Sequence, residues 1–449
     1  MTSSNHREAR RSSARRDARA ARRQRGVALI IAVVAITILT VVATEFAYNT
    51  RVDLQLAANQ RDEVQAMYMA RSGVALSRLL LRFQKQMDAT PIPNIGDLAR
   101  QLTGGAGAAG GQQPASSLNI QLWKLARVDC HMLRGLVKGG GAESEGEEEA
   151  SAAPPLHDDE DGELRPELAL GPAKRSFGSF SGCFLASISD EEEKLNLHRL
   201  NSGGGDALPT AQRLMDLLSD KRFEFLFSRE DSNGVKVNPQ DVIIAIKDWV
   251  DEDKMQSALD PTSALGPFAQ GFSDEGSPYS RYEPRYEPKN ARFDSMDELY
   301  RVHGVNDRFM AAFRDRLTVY PDVNSKPNVN TDDPLMLYMA ILSAADPARP
   351  DQRLRDPVFV QELISRIRAA RAFSFFGTSV ADFVSAIEGA GIAVNPQLKA
   401  NVAGNRLLGD KSTTFTIKSV GEAGAVQKTL TAVIRLDDGL GKLLYWREE

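Results

Sequence analysis

The chain has 449 residues, more than one hydrophobic core usually organises, so we expect at least two structural units. Hydrophobic residues make up 42% of the sequence and charged residues 26%, which excludes disorder of the whole chain. The net charge is -5, but residues 1–26 carry nine arginines, so the rest is acidic and lacks the clustered positive charge that binds nucleic-acid backbones. The two cysteines exclude a disulfide-rich scaffold and a cysteine-based zinc finger.

An arginine-rich stretch at residues 7–25 is followed directly by an uncharged, mostly apolar run, Val27 to Ala43. As a helix this run is about 26 Å long, slightly less than the ~30 Å hydrocarbon core of a bilayer, so a span requires helix beyond its end. The arginines predict that the N-terminal end is cytoplasmic and that the rest of the chain lies across the membrane.

Three interpretations of this N-terminus remain open. Val41-Val42-Ala43 resembles a signal-peptide cleavage site, although the apolar run exceeds the usual ~7 to 15 residues. A plain membrane anchor is the second interpretation. The third begins from Arg25-Gly26, which directly precedes Val27. This junction resembles a type IV prepilin leader, which is cut after the glycine and leaves the apolar segment on the mature protein.

The residues after the apolar run favour the third interpretation. There is no proline from Glu45 to Phe83, and apolar residues recur at helical spacing. These residues are Ala57, Val64, Tyr68, Ala75, Leu79 and Phe83. We therefore expect one long helix, with one half in the bilayer or filament core and the other half against a globular head.

Composition changes sharply after this helix. A Gly-rich tract at 104–111 and an acidic stretch at 139–172 predict solvated loops, because neither buries enough apolar surface to offset the entropy cost of ordering. Strands are expected at Cys183–Ile188 and Leu195–Leu197.

Helical segments dominate the next two hundred residues. Periodicity and intervening Pro and Gly predict helices at 208–228, 239–254, 295–316, 332–344, 356–371 and 379–389. The period then changes to two between Thr414 and Ile434, and a last apolar run follows at Leu443–Trp446. This alternation predicts a closing antiparallel meander.

Several short motifs occur in a fixed order along residues 23–449. They are Arg25-Gly26-Val27-Ala28-Leu29, Asn59, Met69-Ala70-Arg71-Ser72-Gly73, Asp190-Glu191-Glu192 with Lys194-Leu195-Asn196-Leu197, Asp248-Trp249-Val250-Asp251, Ser295-Met296-Asp297-Glu298-Leu299, Gly304-Val305, Thr318-Val319-Tyr320 and Asn328-Val329-Asn330-Thr331. In this order they resemble general secretion pathway protein K, the minor pseudopilin K family of the type II secretion system. The insertion at 103–172 and the segment at 274–279 depart from the family pattern.

The resemblance implies an α+β, pilin-like fold. Its long N-terminal helix, membrane-embedded and then amphipathic, packs on an antiparallel sheet, and a large α-helical domain is inserted in the chain. The implied divisions are a cleaved basic leader at 1–26, the N-terminal helix at 27–88, the first part of the core at 89–201, the inserted helical domain at 202–403 and closing strands at 404–449.

The resemblance also implies a function. It describes a non-enzymatic subunit in the inner membrane, with a single span and a periplasmic globular part, which caps the pseudopilus tip and helps start its assembly. Prepilin peptidase would cut between Gly26 and Val27, and Val27 would be N-methylated. The implied partners are other minor pseudopilins, the major pseudopilin, the inner-membrane assembly platform, the peptidase and inner-membrane lipid, without nucleic acid.

Position five of the predicted mature chain is Ile31. Pilin subunits within a filament usually carry Glu at this position, where its carboxylate neutralises the N-terminal ammonium of a neighbouring subunit. A subunit at the tip has no further neighbour, so a buried Glu there would be an unpaired charge, which costs several kcal/mol. Ile31 therefore predicts a capping subunit.

Two further sites are expected in the globular part. Asp248, Asp251, Asp253, Asp274 and Glu275 offer hard oxygen ligands, and the resembling family looks like a group of calcium binders in the helical domain. The alternative is that the acidic residues at the helix end simply face solvent. Cys130 and Cys183 are either bridged, which the periplasm permits, or separately buried thiols.

No motif in the sequence indicates enzymatic function. A nucleophile elbow, a phosphate loop, a dinucleotide fingerprint and His-Glu-x-x-His are all absent from it. Two rival functions remain. A type IV pilus minor pilin would share the leader. The stretch Asp297–Val305 resembles a DNA-binding helix-hairpin-helix, although Asn306 stands where its second glycine is expected.

Overall fold

The computed structural model describes most of the chain outside the N-terminal leader and the insertion at 103–172. The described residues are 5–89, 119–125, 128–130, 176–177, 180–202, 207–230, 234, 236–260, 266–370, 376–401, 405, 407–437 and 439–449. For residues 5–28 only the helical backbone is described. The loops predicted at 104–111 and 139–172 lie outside the described residues, as do the side chains of Gly26 and Val27.

Helices supply most of the described structure. The α-helices are α1 (Asn5–Ala89), α2 (Leu122–Leu125), α3 (Leu208–Leu218), α4 (Glu224–Phe227), α5 (Pro239–Val250), α6 (Asp307–Phe313), α7 (Pro334–Ala344), α8 (Pro357–Ala370), α9 (Val380–Gly389) and α10 (Pro396–Ala400). Short 3-10 turns lie at Leu197–Asn201, Lys221–Phe223, Ser277–Arg281, Met296–Arg301, Arg314–Arg316 and Gln352–Arg355.

Strands form one larger sheet and several two-stranded pairs. The strands are β1 (Asn119–Ile120), β2 (Val128–Asp129), β3 (Ser176–Phe177), β4 (Phe180–Ser181), β5 (Cys183–Asp190), β6 (Leu195–Asn196), β7 (Met255–Leu259), β8 (Phe268–Asp274), β9 (Leu317–Thr318), β10 (Phe376–Gly377), β11 (Thr414–Ala423), β12 (Val426–Arg435) and β13 (Lys442–Glu448). The larger sheet has the order β13-β12-β11-β5-β2. Its strands β5 and β11 pair antiparallel, from Phe415 opposite Asp190 to Glu422 opposite Cys183.

The chain divides into two compact units. The first consists of Met1–Gln65 with the turn Gly424–Val426. The second consists of Ala66–Ala423 and Gln427–Glu449, and it contains the larger sheet, the end of α1 and the other helices.

Within the second unit, β5 and β11 are neighbours in the sheet, although α3 to α10 lie between them in sequence. A helical block is therefore inserted between two adjacent strands. The predicted α+β, pilin-like fold with a helical insertion is confirmed, as is the closing meander. The predicted domain boundaries stay a prediction.

One face of the C-terminal part of α1 packs on the sheet, and the apolar stripe identified from the sequence lies on a different face. The buried face consists mainly of small and medium residues: Ala66, Met69, Ala70, Gly73, Val74, Ser77, Leu81 and Gln84. Met69, Ala70, Val74 and Leu81 share a core with residues of β5, β11 and β12. The predicted stripe of Ala57, Val64, Tyr68, Ala75, Leu79 and Phe83 is exposed. The predicted packing of this part of the helix against the globular head is confirmed, although the residues named from the periodicity do not form the contact.

Close approach of the backbones explains the choice of face. A Cβ atom on Gly421 of β11 would overlap the Ala66 carbonyl oxygen and the Ala70 amide nitrogen of α1. A Cβ atom on Gly73 would overlap the Ser419 hydroxyl. The helix lies this close to the sheet because its facing residues are small, and larger side chains there would hold the backbones apart.

Two predicted helices of the helical block are interrupted. The stretch predicted at 208–228 divides into α3, a 3-10 turn and α4. The stretch predicted at 295–316 divides at Gly304, which has a φ of +85°. Only glycine adopts this conformation readily, so the helical pattern on both sides cannot continue through it.

The glycine contact gives a stability prediction. Gly421→Ala should lower the free energy of unfolding by about 1–3 kcal/mol, because the added methyl overlaps backbone that cannot move independently. Gly389→Ala is the matched control, since a Cβ there meets nothing within 4 Å. The control should be neutral or stabilising by about 0.4–1 kcal/mol. Equal urea midpoints for the two variants would refute the close packing.

Candidate metal centre

Helix α5 positions the first two acidic residues of the site. Asn238 and Asp241 form a capping box at its start, and Pro239 occupies the first turn. Apolar residues of α5, including Trp249, are buried in the larger core of the helical block. Asp248 therefore lies on a buried part of α5, and Asp251 caps its C-terminus with extended backbone.

The third acidic residue arrives from the β7–β8 hairpin, which the sequence analysis did not predict. Its strands pair antiparallel, with Met255 opposite Asp274. Glu275 follows β8 directly, and its amide donates to the Lys254 carbonyl at 3.3 Å. This pairing brings Glu275 next to the end of α5.

Three carboxylates meet at this point. One oxygen each from Asp248, Asp251 and Glu275 lie within 4.8 Å of one another. Each residue is at most 5% exposed. The alternative that these residues face solvent is therefore wrong for Asp248 and Asp251. We call these three residues the acidic triad.

Asp253 and Asp274 do not join the acidic triad. Both are exposed, and each carboxylate accepts a nearby backbone amide. Asp253 Oδ1 accepts from Met255 N at 2.8 Å, and Asp274 Oδ1 accepts from Gly276 N at 2.7 Å. They act as turn residues, so the structure brings together three of the five predicted ligands.

Some oxygen atoms of the site have protein partners and others do not. Asp248 Oδ1 accepts from Ser257 N at 2.9 Å, and Asp251 Oδ2 pairs with Lys247 Nζ at 2.6 Å. Asp251 Oδ1 and Glu275 Oε2 are buried without a hydrogen-bond partner. A buried oxygen without a partner destabilises the folded state, because it has lost its hydrogen bonds to water and has formed none with the protein.

Asn290, whose side chain hydrogen-bonds to Glu275, is a residue of this site that the sequence did not indicate. Its Oδ1 is also buried without a partner, while its Nδ2 donates to the Asp253 carbonyl at 2.7 Å. Asn290 has a φ of +50°, a left-handed conformation that Asn tolerates better than most residues. No spacing in the sequence connects it to Asp248, so no local signal marks it.

Burial and mutual repulsion raise the pKa values of the three acidic-triad carboxyl groups. Burial raises the pKa of Asp248 to about 6, and the nearby Asp251 raises it further. Burial raises the pKa of Glu275 to about 7, assisted by repulsion from Asp251, Asp248 and Asp253 and opposed by a hydrogen bond with Asn290. The pKa of Asp251 is also raised by burial, although Lys247 opposes the shift. One ammonium thus faces three carboxylates.

These observations fit a hard divalent cation. Carboxylate and amide oxygens are the ligands that calcium prefers, and three oxygens without partners are available from Asp251, Glu275 and Asn290. A cation there would offset both the repulsion and the lost hydration. Among the residues that the structure describes, the acidic triad is the one group of three or more His, Cys, Asp or Glu side chains whose possible ligand atoms lie within 4.8 Å of one another.

A cavity of about 170 Å³ adjoins the acidic triad, and Asp248, Glu275, Tyr279 and His303 are among the residues that line it. Both tyrosines of the Arg-Tyr-Glu-Pro tandem at 281–288 contact Tyr279. They also stack on each other, with ring centroids 5.3 Å apart. The tandem tyrosines therefore support a residue of the cavity wall.

The remaining predicted sites are separate from the acidic triad. Ile31 is 63% exposed on α1. Cys130 and Cys183 have Cα atoms 5.5 Å apart, with their Sγ atoms bonded, so the structure has the bridged alternative. The turn Gly304-Val305 lies against Val237 and Val242, and Val305 is buried in the core. That packing leaves the predicted hairpin poorly placed to meet DNA phosphates.

Comparisons with known proteins gave one kind of match. Neither the protein-family models nor the curated proteins matched the chain. Among solved structures, the chain is similar to a chain in the crystal structure of the GspK-GspI-GspJ complex of the enterotoxigenic Escherichia coli type 2 secretion system. The identity is 16%, the match covers 63% of this chain and 84% of that chain, and the TM-score is 0.38. A similarity this distant leaves the functional argument to the residues themselves.

Proposed function

We propose that the chain is a minor pseudopilin of a type II secretion system. In this role it is a non-enzymatic subunit that caps the tip of the periplasmic pseudopilus and helps start its assembly for the export of folded proteins. The main observation behind the proposal is that the two parts of α1 have different surroundings. Its N-terminal part is apolar enough to cross a membrane, and its C-terminal part is built into a sheet on one face only.

The free face of that C-terminal part supports a protein partner. Tyr68, Leu79 and Phe83 are 61%, 41% and 52% exposed, and they lie on one side of α1, opposite the buried face. We call these three residues the outer stripe. Its apolar surface is in water in the free protein, and burying it would gain about 25 cal/mol per Å².

Basic residues beside the outer stripe are already engaged by the protein's own sheet. Arg71 pairs with Glu448 of β13 at 2.7 Å, and Arg78 donates to the carbonyls of Leu440 and Gly441. These contacts hold α1 at a fixed rotation. The outer stripe therefore points away from the sheet, where the helix of another minor pseudopilin can pack on it by ridges and grooves.

The capping part of the proposal is supported by Ile31 and by the helical block. Ile31 offers no carboxylate for the ammonium of a subunit above it. The block inserted between β5 and β11 adds bulk that a shaft subunit would have to accommodate. The same insertion favours a pseudopilin over the rival type IV pilus minor pilin, because only the helical insertion and its motifs separate the two.

Calcium in the helical block is part of the proposal. Asp248, Asp251 and Glu275 would hold it, with Asn290 as a neutral ligand. Bound calcium would neutralise the acidic triad and join α5 to the β7–β8 hairpin. In this role calcium is structural, and the site has no catalytic task.

Processing of the N-terminus tests the proposed prepilin leader. A prepilin peptidase should cut between Gly26 and Val27, because glycine lacks a Cβ and lets the scissile backbone approach the enzyme closely. The mass of the N-terminal peptide from membrane-extracted protein should correspond to N-methylated Val27. A start at Thr44 would instead indicate an ordinary signal peptide.

Photo-crosslinking tests the outer stripe. A benzophenone amino acid at Tyr68 or Phe83 should crosslink to other minor pseudopilins in intact membranes, because both side chains point to the proposed interface. The matched control is Phe225 of α4, which is similarly exposed at 59%. Leu79→Glu should reduce the yield from both stripe positions at least about tenfold. Equal yields from the stripe and Phe225 would refute the interface.

Calcium stabilisation tests the metal site. At a free calcium concentration about 100 times Kd, the native protein should gain about 2.7 kcal/mol against unfolding. Glu275→Gln should lose most of this gain, whereas Glu252→Gln, an exposed neighbour of the site, should keep it. Thermal unfolding in chelator and in calcium measures both. An equal calcium gain in the two variants would contradict the assignment of Glu275.

A further inference from the structure

Four consecutive acidic residues, 190–193, lie where the chain leaves the sheet for the helical block. Asp190 ends β5, and Asp190, Glu191 and Glu192 are each less than 5% exposed. The returning chain, residues 410–414, enters β11 beside them, since the Glu191 amide donates to the Thr414 carbonyl at 3.0 Å. Both chain connections between the sheet and the helical block therefore meet here. We call this junction, residues 190–194 with 412–416, the neck.

Asp190 ties the two connections to a third segment. Its Oδ2 accepts from Asn328 Nδ2 of the helical block at 2.9 Å and from the Ser412 hydroxyl of the returning chain. Its Oδ1 accepts from the Glu192 amide at 2.8 Å. A single buried carboxylate thus holds together residues from three parts of the sequence.

Glu192 repeats the arrangement with different partners. Its Oε1 accepts from the Thr413 amide at 3.1 Å and from the Thr413 hydroxyl at 2.7 Å. Its carbonyl accepts from the Asn328 amide at 2.7 Å. Asn328 therefore bonds to both Asp190 and Glu192, and it links the helical block to both acids.

The neighbouring glutamates extend the network. Glu191 accepts from the Thr416 hydroxyl at 2.7 Å, from Lys194 Nζ at 2.6 Å and from the Thr318 hydroxyl. Glu193 pairs with Lys124 Nζ of α2 at 3.0 Å, and the same ammonium pairs with Asp332 at 2.8 Å. The neck thus joins α2, β5, β9, β11 and the loop before α7.

Negative charge exceeds positive charge in the neck. The charged and titratable groups that face one another there are Asp190, Glu191, Glu192, Glu193, Asp332, Lys124, Lys194 and Tyr320. Five carboxylates share two ammonium groups. Burial, followed by repulsion from Asp190, raises the pKa of Glu192 to about 7, and burial raises the pKa of Asp190 to about 6. Buried carboxylates in excess of their cations bind protons more tightly than in the unfolded chain.

Hydroxyl groups make both protonation states structurally acceptable. Ser412, Thr413 and Thr416 donate to the charged carboxylates, and the same hydroxyls can accept from protonated ones. The hydrogen bonds of the neck therefore persist when a carboxylate is protonated, whereas the repulsion between the carboxylates is reduced.

We propose that the neck is a proton-dependent lock between the sheet and the helical block. It is tight when the excess carboxylates carry protons and loosens when all of them are charged. Because proton binding is tighter in the folded state, this stabilisation is complete below about pH 4 and is lost as the pH rises through 6 to 8, the range in which Asp190, Glu192 and Glu193 release their protons. The proposal does not depend on the secretion role or on calcium.

Hydrogen exchange on the full-length protein in detergent tests the lock. Chelator at both pH values removes any effect of metal ions, and rates are corrected for intrinsic exchange. Amides at 189–196 and 410–416 should be protected about tenfold more at pH 5.5 than at pH 8. Glu192→Gln should reduce that ratio to about threefold or less, because the amide carries no charge at either pH.

The control is Glu362→Gln, which alters an exposed pair with Arg366 on α8 and should leave the ratio unchanged. Asp190→Asn is a second neck variant, and it should also reduce the ratio. Equal protection of the wild-type segments at the two pH values would overturn the proposal. So would an unchanged ratio in both neck variants.

Discussion

The close approach of α1 to β11 determines which face of α1 is buried and which face is left exposed. Gly421 and Gly73 let the helix backbone approach the sheet, so α1 buries the face that carries Ala66 and Ala70. The larger apolar side chains of the same helix are then turned outward. A helix with larger residues on its inner face would lie further from the sheet, and its orientation would be less closely fixed. The outer stripe is thus a consequence of the packing on the opposite face.

Local patterns predicted most elements of the fold, because helix and strand periods are written in neighbouring residues. Periodicity could not choose between the two apolar faces of α1, since it counts apolar residues and ignores backbone distance. The inner face was overlooked because its residues are small, as at Ala66 and Gly73. The sequence also left the pairing of Cys130 and Cys183 open, because spacing does not reveal distance in the fold.

The candidate metal centre shows the same limit of sequence patterns. Asp248 and Asp251 are close in sequence, and their proximity was predictable. Glu275 joins them only through the β7–β8 hairpin, and Asn290 arrives from a loop with no recognisable motif. Burial then changes the chemistry of these groups, as it does in the neck. In both places carboxylates outnumber the cations beside them, and we propose that both places respond to cations or protons.

The proposed role places this chain at the end of a filament and not within its shaft. In that role the apolar segment of α1 would enter the membrane, the outer stripe would contact neighbouring helices on one side, and the bulky helical block would mark the terminal subunit. Immunogold labelling of overexpressed pseudopili, with antibodies against the helical block, measures this placement directly. The account predicts gold at filament ends. Regular labelling along the shaft would contradict it.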